Sequence, residues 1–318
     1  MNRSFVFPGQ GSQFVGMGKD LAESFGAAKE TFQEVDDALG QNLSALMFDG
    51  PEEDLNLTEN TQAALMAVSM AVVNVLTREG GIEMDKAVKF VAGHSLGEYS
   101  ALTAAGALEL SQTAKLLKLR GQAMQRAVPV GAGSMAAILG LDLPDVQTIA
   151  EKASAQAGPD LICESANDNS VGQVVVSGHA AAVQVAVDMA SEAGAKRAVI
   201  LPVSAPFHCA LMGPAAREME EALAGAEIKS PCVPVVANVV ARGVTDPEDI
   251  RRLLVEQITG MVRWRESVIW MKDQGVTEMI ELGAGKVLSG LARRIDKDIE
   301  TSSVGTPEQV KELIKKLK

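Results

Sequence analysis

The chain has 318 residues, 47% of them hydrophobic, enough for one large domain with a smaller one inserted. A formal net charge of −12 without a basic arm argues against nucleic-acid binding. Three widely spaced cysteines, Cys163, Cys209 and Cys232, form neither a metal-ligand pattern nor a disulfide framework and read as reduced thiols of a cytoplasmic protein. In chain order, "MNRSFVFPGQGSQ" enters a strand and a turn and lacks the pattern of a signal peptide. Helical patterns follow over about 17–39 and 60–79. Within the second, residues 63–76 are the most apolar stretch but fall short of the roughly 20 residues a bilayer span needs, so a core helix and no membrane role are expected. "AVKFVAGH" predicts a buried strand, and "SLGEYSALTAAGAL" and "SQTAKLLKLRGQAMQRA" predict helices. This alternation indicates a parallel sheet covered by helices.

At "VPVGAGSMAAILGL" the texture changes. A strand at about 133–140, a helix at 144–156, the strands "LICESAND" and "QVVVSG", a helix at 179–193 and the strand "KRAVIL" give the order β-α-β-β-α-β, the ferredoxin-like pattern. The expected fold class is therefore α/β: a larger α/β-hydrolase-like domain with a parallel sheet (1–127 and 200–318), plus an inserted small ferredoxin-like subdomain (128–199). The large domain resumes at "PVSAPFHCALM", with helices at about 210–224, 246–258 and 264–274, the strand "VTEMIELG" and a last helix after Gly285.

The stretch Gly93-His94-Ser95-Leu96-Gly97 between a strand and a helix has the G-x-S-x-G form of a nucleophile elbow. Its glycines allow a tight turn that lifts the serine hydroxyl from the sheet edge. The turn also sets the Leu96 N–H at a helix N-terminus, where it can stabilise an oxyanion. Taken alone, the pattern also fits a serine capping an ordinary helix. A serine nucleophile needs a base, and only three histidines exist. His94 adjoins the serine, where side chains diverge in a sharp turn, and His179 opens a helix. His208 lies in a loop between strand and helix, where α/β enzymes place catalytic groups. Ser95 and His208 are therefore the expected pair. A carboxylate to orient the histidine is not selected by spacing among Asp246, Glu256 and Glu281.

Six motifs, "FVFPGQGSQFVGMG", "GHSLGEYSAL", "RGQAMQ", "GQVVVSGH", "PVSAPFHCALM" and "ELGAGKVLSGL", run in order from residue 5 to residue 291. Together they resemble the malonyl-CoA:acyl carrier protein transacylase family. The resemblance implies acylation of Ser95 and a base at His208 steadied by a main-chain carbonyl and the amide of Gln257 rather than by an acid. It implies an oxyanion hole from the N–H groups of Gln10 and Leu96, and Arg120 as the group that binds the malonyl carboxylate. On its residues alone, "GQGSQ" reads as a plain turn and Arg120 as a solvated charge on an amphipathic helix. Asn167, Asn169 and Gln62 are expected to line the cleft. Phe207 stands where a phenylalanine accompanies malonyl in related acyltransferases.

The implied reaction is ping-pong transfer of malonyl from malonyl-CoA to the thiol of holo-acyl carrier protein, with no metal or other cofactor, by a cytoplasmic monomer. Basic residues such as Lys196, Arg197, Lys286, Arg293 and Arg294 are candidates for docking an acidic carrier, although each taken singly reads as a solvated charge. The alternatives are a serine hydrolase or thioesterase that accepts water and needs no Arg120, and a non-catalytic scaffold, which the presence of serine, histidine and arginine disfavours.

Overall fold

The computed structural model describes residues 2–203 and 205–318; Met1 lies outside them, as does Ser204 of the "PVSAPFHCALM" motif. Among the described residues, ten strands form two sheets. They are β1 (Arg3–Phe7), β2 (Phe90–Gly93), β3 (Gly133–Leu139), β4 (Cys163–Ser170), β5 (Gln173–His179), β6 (Arg197–Ile200), β7 (Val235–Ala237), β8 (Arg242–Val244), β9 (Glu278–Leu282) and β10 (Glu300–Val304). The larger sheet has the order β10-β9-β1-β2-β7-β8 and is parallel except for the antiparallel β7–β8 pair. The smaller sheet, β4-β5-β3-β6, is antiparallel throughout.

The large sheet is buried on both faces, as parallel sheets covered by helices are. Side chains alternate along each strand, so Phe5, Phe7, Val91, Val235 and Ile280 enter one core while Val6, Phe90, Ala92, Val236 and Met279 enter the other. The helix Thr58–Asn74 runs through the first core with even Gln62 and Ser69 buried. Extended to Glu79, this run is long and apolar enough to cross a membrane by composition, and 89% of its most apolar window is buried inside the molecule. The small sheet has its own core, in which Ala136, Ile138, Val174 and Val176 pack under helices Leu143–Ala157 and Ala180–Glu192. Its elements follow the expected β-α-β-β-α-β order.

Two expectations need correction, and two strands went unread. The helix expected over 17–39 is two, Lys19–Ser24 and Gly26–Leu39. The break is Phe25, whose extended backbone (φ −135°, ψ 129°) closes one helix and opens the next while its ring is buried. After Gly285 there is not one helix but a helix Val287–Ile295, the strand β10 and a helix Pro307–Leu317. The polar sequence of β10, "ETSSV", hides an edge strand whose side chains are largely outside the core. Finally, β7 and β8 escape sequence reading because they are three residues each.

Candidate active site

The turn after β2 is strained as the elbow pattern requires: Ser95 has φ 53°, in the left-handed region that non-glycine residues avoid. The glycines around it are needed sterically. A Cβ on Gly93 would lie 1.8 Å from the Gly97 carbonyl oxygen, and one on Gly97 would lie 2.3 Å from the Phe7 oxygen. Close approach of the β1 and β2 ends therefore puts the Gln10 loop against the elbow, and Gln10 and Leu96 line the same cavity as Ser95. Leu96 caps the helix Gly97–Ala104.

His208 reaches the serine from a different part of the chain. Its Nε2 lies 2.7 Å from Ser95 Oγ, and its Nδ1 is 2.9 Å from the main-chain oxygen of Gln257. A carbonyl only accepts, so Nδ1 carries the proton and the Nε2 lone pair faces the serine hydroxyl. His208 also has a left-handed backbone, with φ 58°. Burial first, and then the Arg120 charge, push its imidazole down to about 3, so the free ring is neutral and able to accept a proton.

Arg120, on the helix Leu110–Arg126, is 1% exposed. Its Nη1 donates to Gln62 Oε1 at 2.8 Å, and its Nη2 to Gln257 Oε1 at 2.8 Å and Ser95 Oγ at 3.1 Å. Its Nε has no partner. A guanidinium lining a cavity beside a nucleophile has the chemistry to take a carboxylate through two charge-assisted bonds.

The cavity, about 580 Å³, is lined by Ser95, His208 and Arg120 together with Gln10, Leu96, Gln62, Asn167, Asn169 and Phe207. Gln257 is fully buried behind it. Every site residue expected from sequence is thus gathered in one place. His94, set aside as a base because it adjoins the serine, lines the cavity wall. Its Nε2 bonds Asn169 Oδ1 at 2.8 Å and its ring tilts against Trp264. His179 is the N-cap of helix Ala180–Glu192, as expected, and its Nδ1 accepts from the Ile162 N–H.

The three acids weighed as orienting carboxylates do other work. Asp246 caps helix Pro247–Thr259, Glu256 pairs with Arg252, and Glu281 accepts from the N–H groups of Leu288 and Ser289. Two residues were not legible in advance. Asn238, just past β7, accepts the Ser95 N–H on Oδ1 at 2.7 Å and donates from Nδ2 to the Gly93 oxygen at 2.7 Å, clamping the elbow from below. Glu98, three residues after the serine, is 3% exposed and accepts from the Asn238 N–H and from Gln257 Nε2. In sequence Glu98 looks like an ordinary first-turn acid, and nothing marks Asn238. Among the described residues no cluster of three or more His, Cys, Asp or Glu side chains is placed to share a metal ion.

Comparisons with known proteins point to one family. Residues 4–289 match the family model described as the acyl transferase domain. The chain is 46% identical over 315 residues to the malonyl CoA-acyl carrier protein transacylase of Bacillus subtilis (strain 168), covering 99% of this chain and 97% of that protein. It superimposes with a TM-score of 0.96 and 56% identity on the acyl-carrier-protein-S-malonyltransferase of Bartonella henselae, covering 100% and 99% of the two chains. It also matches, at TM-score 0.94 and 42% identity over 99% of this chain and 100% of the other, a malonyl-transacylase solved in complex with its type II PKS acyl-carrier protein.

Proposed function

The chain belongs to the acyl transferase family, and from that membership we propose that it carries malonyl from malonyl-CoA to the phosphopantetheine thiol of acyl carrier protein through an ester on Ser95. The observation that carries this reading is the convergence of Ser95, His208 and Arg120 on one cavity. His208 Nε2 takes the hydroxyl proton as Ser95 Oγ attacks the thioester carbonyl. The oxyanion lies toward the N–H groups of Gln10 and Leu96. As the carbon–sulfur bond breaks, the imidazolium gives its proton to the departing CoA thiolate. The carrier thiol then enters, loses its proton to His208 and reverses the steps, leaving malonyl on the carrier and Ser95 free.

Arg120 sets the acyl specificity in this scheme. Malonyl brings a carboxylate that pairs the guanidinium, whereas acetyl leaves a buried charge unpaired. Gln62 and Gln257 hold the guanidinium from opposite sides, and Phe207, Asn167 and Asn169 supply cleft wall. The chain order β-α-β-β-α-β with sheet order β4-β5-β3-β6 supports a ferredoxin-like description of the 128–199 unit. The strand–elbow–helix geometry at Ser95 supports an α/β-hydrolase-like description of the remainder, 1–127 and 200–318. The enzyme acts as a monomer in the cytoplasm in this reading, a setting that three free thiols suit.

The test is incubation with labelled malonyl-CoA, with and without holo-acyl carrier protein. Label retained on Ser95 and passed to the carrier is the expected result. Free malonate released at the same rate without carrier would make the protein a hydrolase, and an unlabelled protein would make it a scaffold.

A further inference from the structure

The orienting acid of a serine–histidine pair is missing from its usual place here, since His208 Nδ1 meets a main-chain oxygen. A carboxylate is nevertheless present one link away. Glu98 lies on the elbow helix, turned into the protein, with Oε2 accepting from Gln257 Nε2 at 2.8 Å and from the Asn238 N–H at 3.0 Å. Each partner grips the reacting groups. Gln257 offers its main-chain oxygen to His208, its side-chain oxygen to Arg120, and its Nε2 to the Ser95 main-chain oxygen at 3.0 Å. Asn238 holds the Ser95 N–H. Among the described residues, Glu98 is thus the side chain that bonds both grips.

Its charge matters as well as its shape. Arg120 is buried among neutral partners, Gln62, Gln257 and Ser95, and Glu98 is the carboxylate whose charge reaches it. Once a substrate carboxylate pairs with Arg120, the negative charge behind Gln257 is left to balance the imidazolium that forms on His208. A neutral acceptor at position 98 would fill the same space without that balance.

Building on the malonyl-transfer reading, we propose that Glu98 is a positioning residue of the acyl transfer, whose ionised carboxylate, acting through Gln257 and Asn238, aligns Ser95 with His208 and offsets the positive charge of the reaction. The charged and titratable groups that face it are Arg120 on helix Leu110–Arg126 and Tyr99 on its own helix; Asn238 and Gln257, from the other elements against it, are neutral. Burial pushes Glu98 up to about 7 and Tyr99 up to about 12, while His208 sits at about 3. Across the neutral range Glu98 is the member of this cluster that changes charge, and the two N–H donors aimed at its Oε2, from Asn238 and Gln257, suit the ionised form. Acylation should rise with pH as it ionises.

The experiment is single-turnover loading of Ser95 from malonyl-CoA by rapid quench between pH 5.5 and 9, for the wild type and for Glu98→Gln, with thermal unfolding recorded in parallel. The wild-type rate should climb through one ionisation near neutrality. E98Q should fold, lose that inflection and stay flat, about tenfold or more below the wild-type plateau. A merely structural role would lower the melting temperature and the active fraction but leave the inflection in place. E98Q with the wild-type rate, or with the inflection retained, overturns the proposal. Should E98Q not fold, the wild-type profile decides, a flat one overturning the proposal and a neutral inflection that shifts in Glu98→Asp upholding it. If the wild type acquires no malonyl at all, it is the malonyl-transfer reading that fails, which separates the two.

Discussion

At the scale of single residues, the chemistry rests on groups held in states they would not adopt in water. His208 is kept neutral by burial and by the Arg120 charge. Its replacement by Ala should slow malonyl loading of Ser95 by roughly 10²-fold or more, the scale of a lost general base, as read by rapid quench. If Arg120 binds the malonyl carboxylate as proposed, Arg120→Ala removes two charge-assisted bonds, and the preference for malonyl over acetyl should fall by about 100-fold or more in paired kcat/KM measurements. An unchanged ratio would remove Arg120 from the specificity role. Ser95 and His208 were legible because the elbow pattern and a count of three histidines leave few choices. Arg120, Gln10 and Gln257 were legible only through family resemblance. Glu98 and Asn238 were not legible, because their roles exist only once segments distant in the chain meet.

At the scale of elements, the site depends on how closely two strand ends approach. β1 and β2 pair in parallel register, with Phe7 opposite Gly93. The loops that follow them touch, because glycine stands where any side chain would collide. Gly97→Ala would put a methyl 2.3 Å from the Phe7 oxygen and 2.9 Å from the Pro8 oxygen. It should cost about 2 kcal/mol or more in urea unfolding, the scale of overpacking, and slow acylation by moving Gln10 away from Leu96. A variant with both quantities near wild type would show that the loops do not need this contact. Elements with strong apolar runs, such as β1, β2 and β9, were visible in the sequence. β10 was not, because an edge strand is stabilised by pairing with β9 rather than by a buried face of its own.

At the scale of the whole molecule, the small sheet meets the large domain along β4, which packs on the helices Trp264–Asp273 and Val287–Ile295 and whose register breaks between Ser165 and Asn167 and between Asp168 and Ser170. There the backbone of 166–168 bonds Val262, and the fully buried Asp168 side chain takes Arg265 Nε at 2.9 Å. The same segment carries Asn167 and Asn169 into the cavity and sets Asn169 on His94. Burial raises the Asp168 carboxyl above its ordinary value against the pull of Arg265. Removing the cation strengthens that rise, and a carboxyl raised in the folded state lowers stability as pH climbs from the unfolded aspartate range toward the folded value. Arg265→Ala should therefore lose about 3 kcal/mol at pH 8, the scale of a broken buried pair, and clearly less at pH 5, as read by urea midpoints. Equal losses at both pH values would show that Asp168 is not carrying an uncompensated charge.

What the sequence by itself determined is local: the strand–turn–helix that strains Ser95, the apolar runs of the central strands, and the order of elements that builds the small antiparallel sheet. Each follows from spacing within a short window, where steric and hydrophobic rules act on neighbours. Only the tertiary structure decided which groups surround the serine. Glu98, Asn238, Gln257 and Arg120 become a working set because parallel packing stacks the ends of separate strands and helices at one cleft. Burial there then changes what their charges can do.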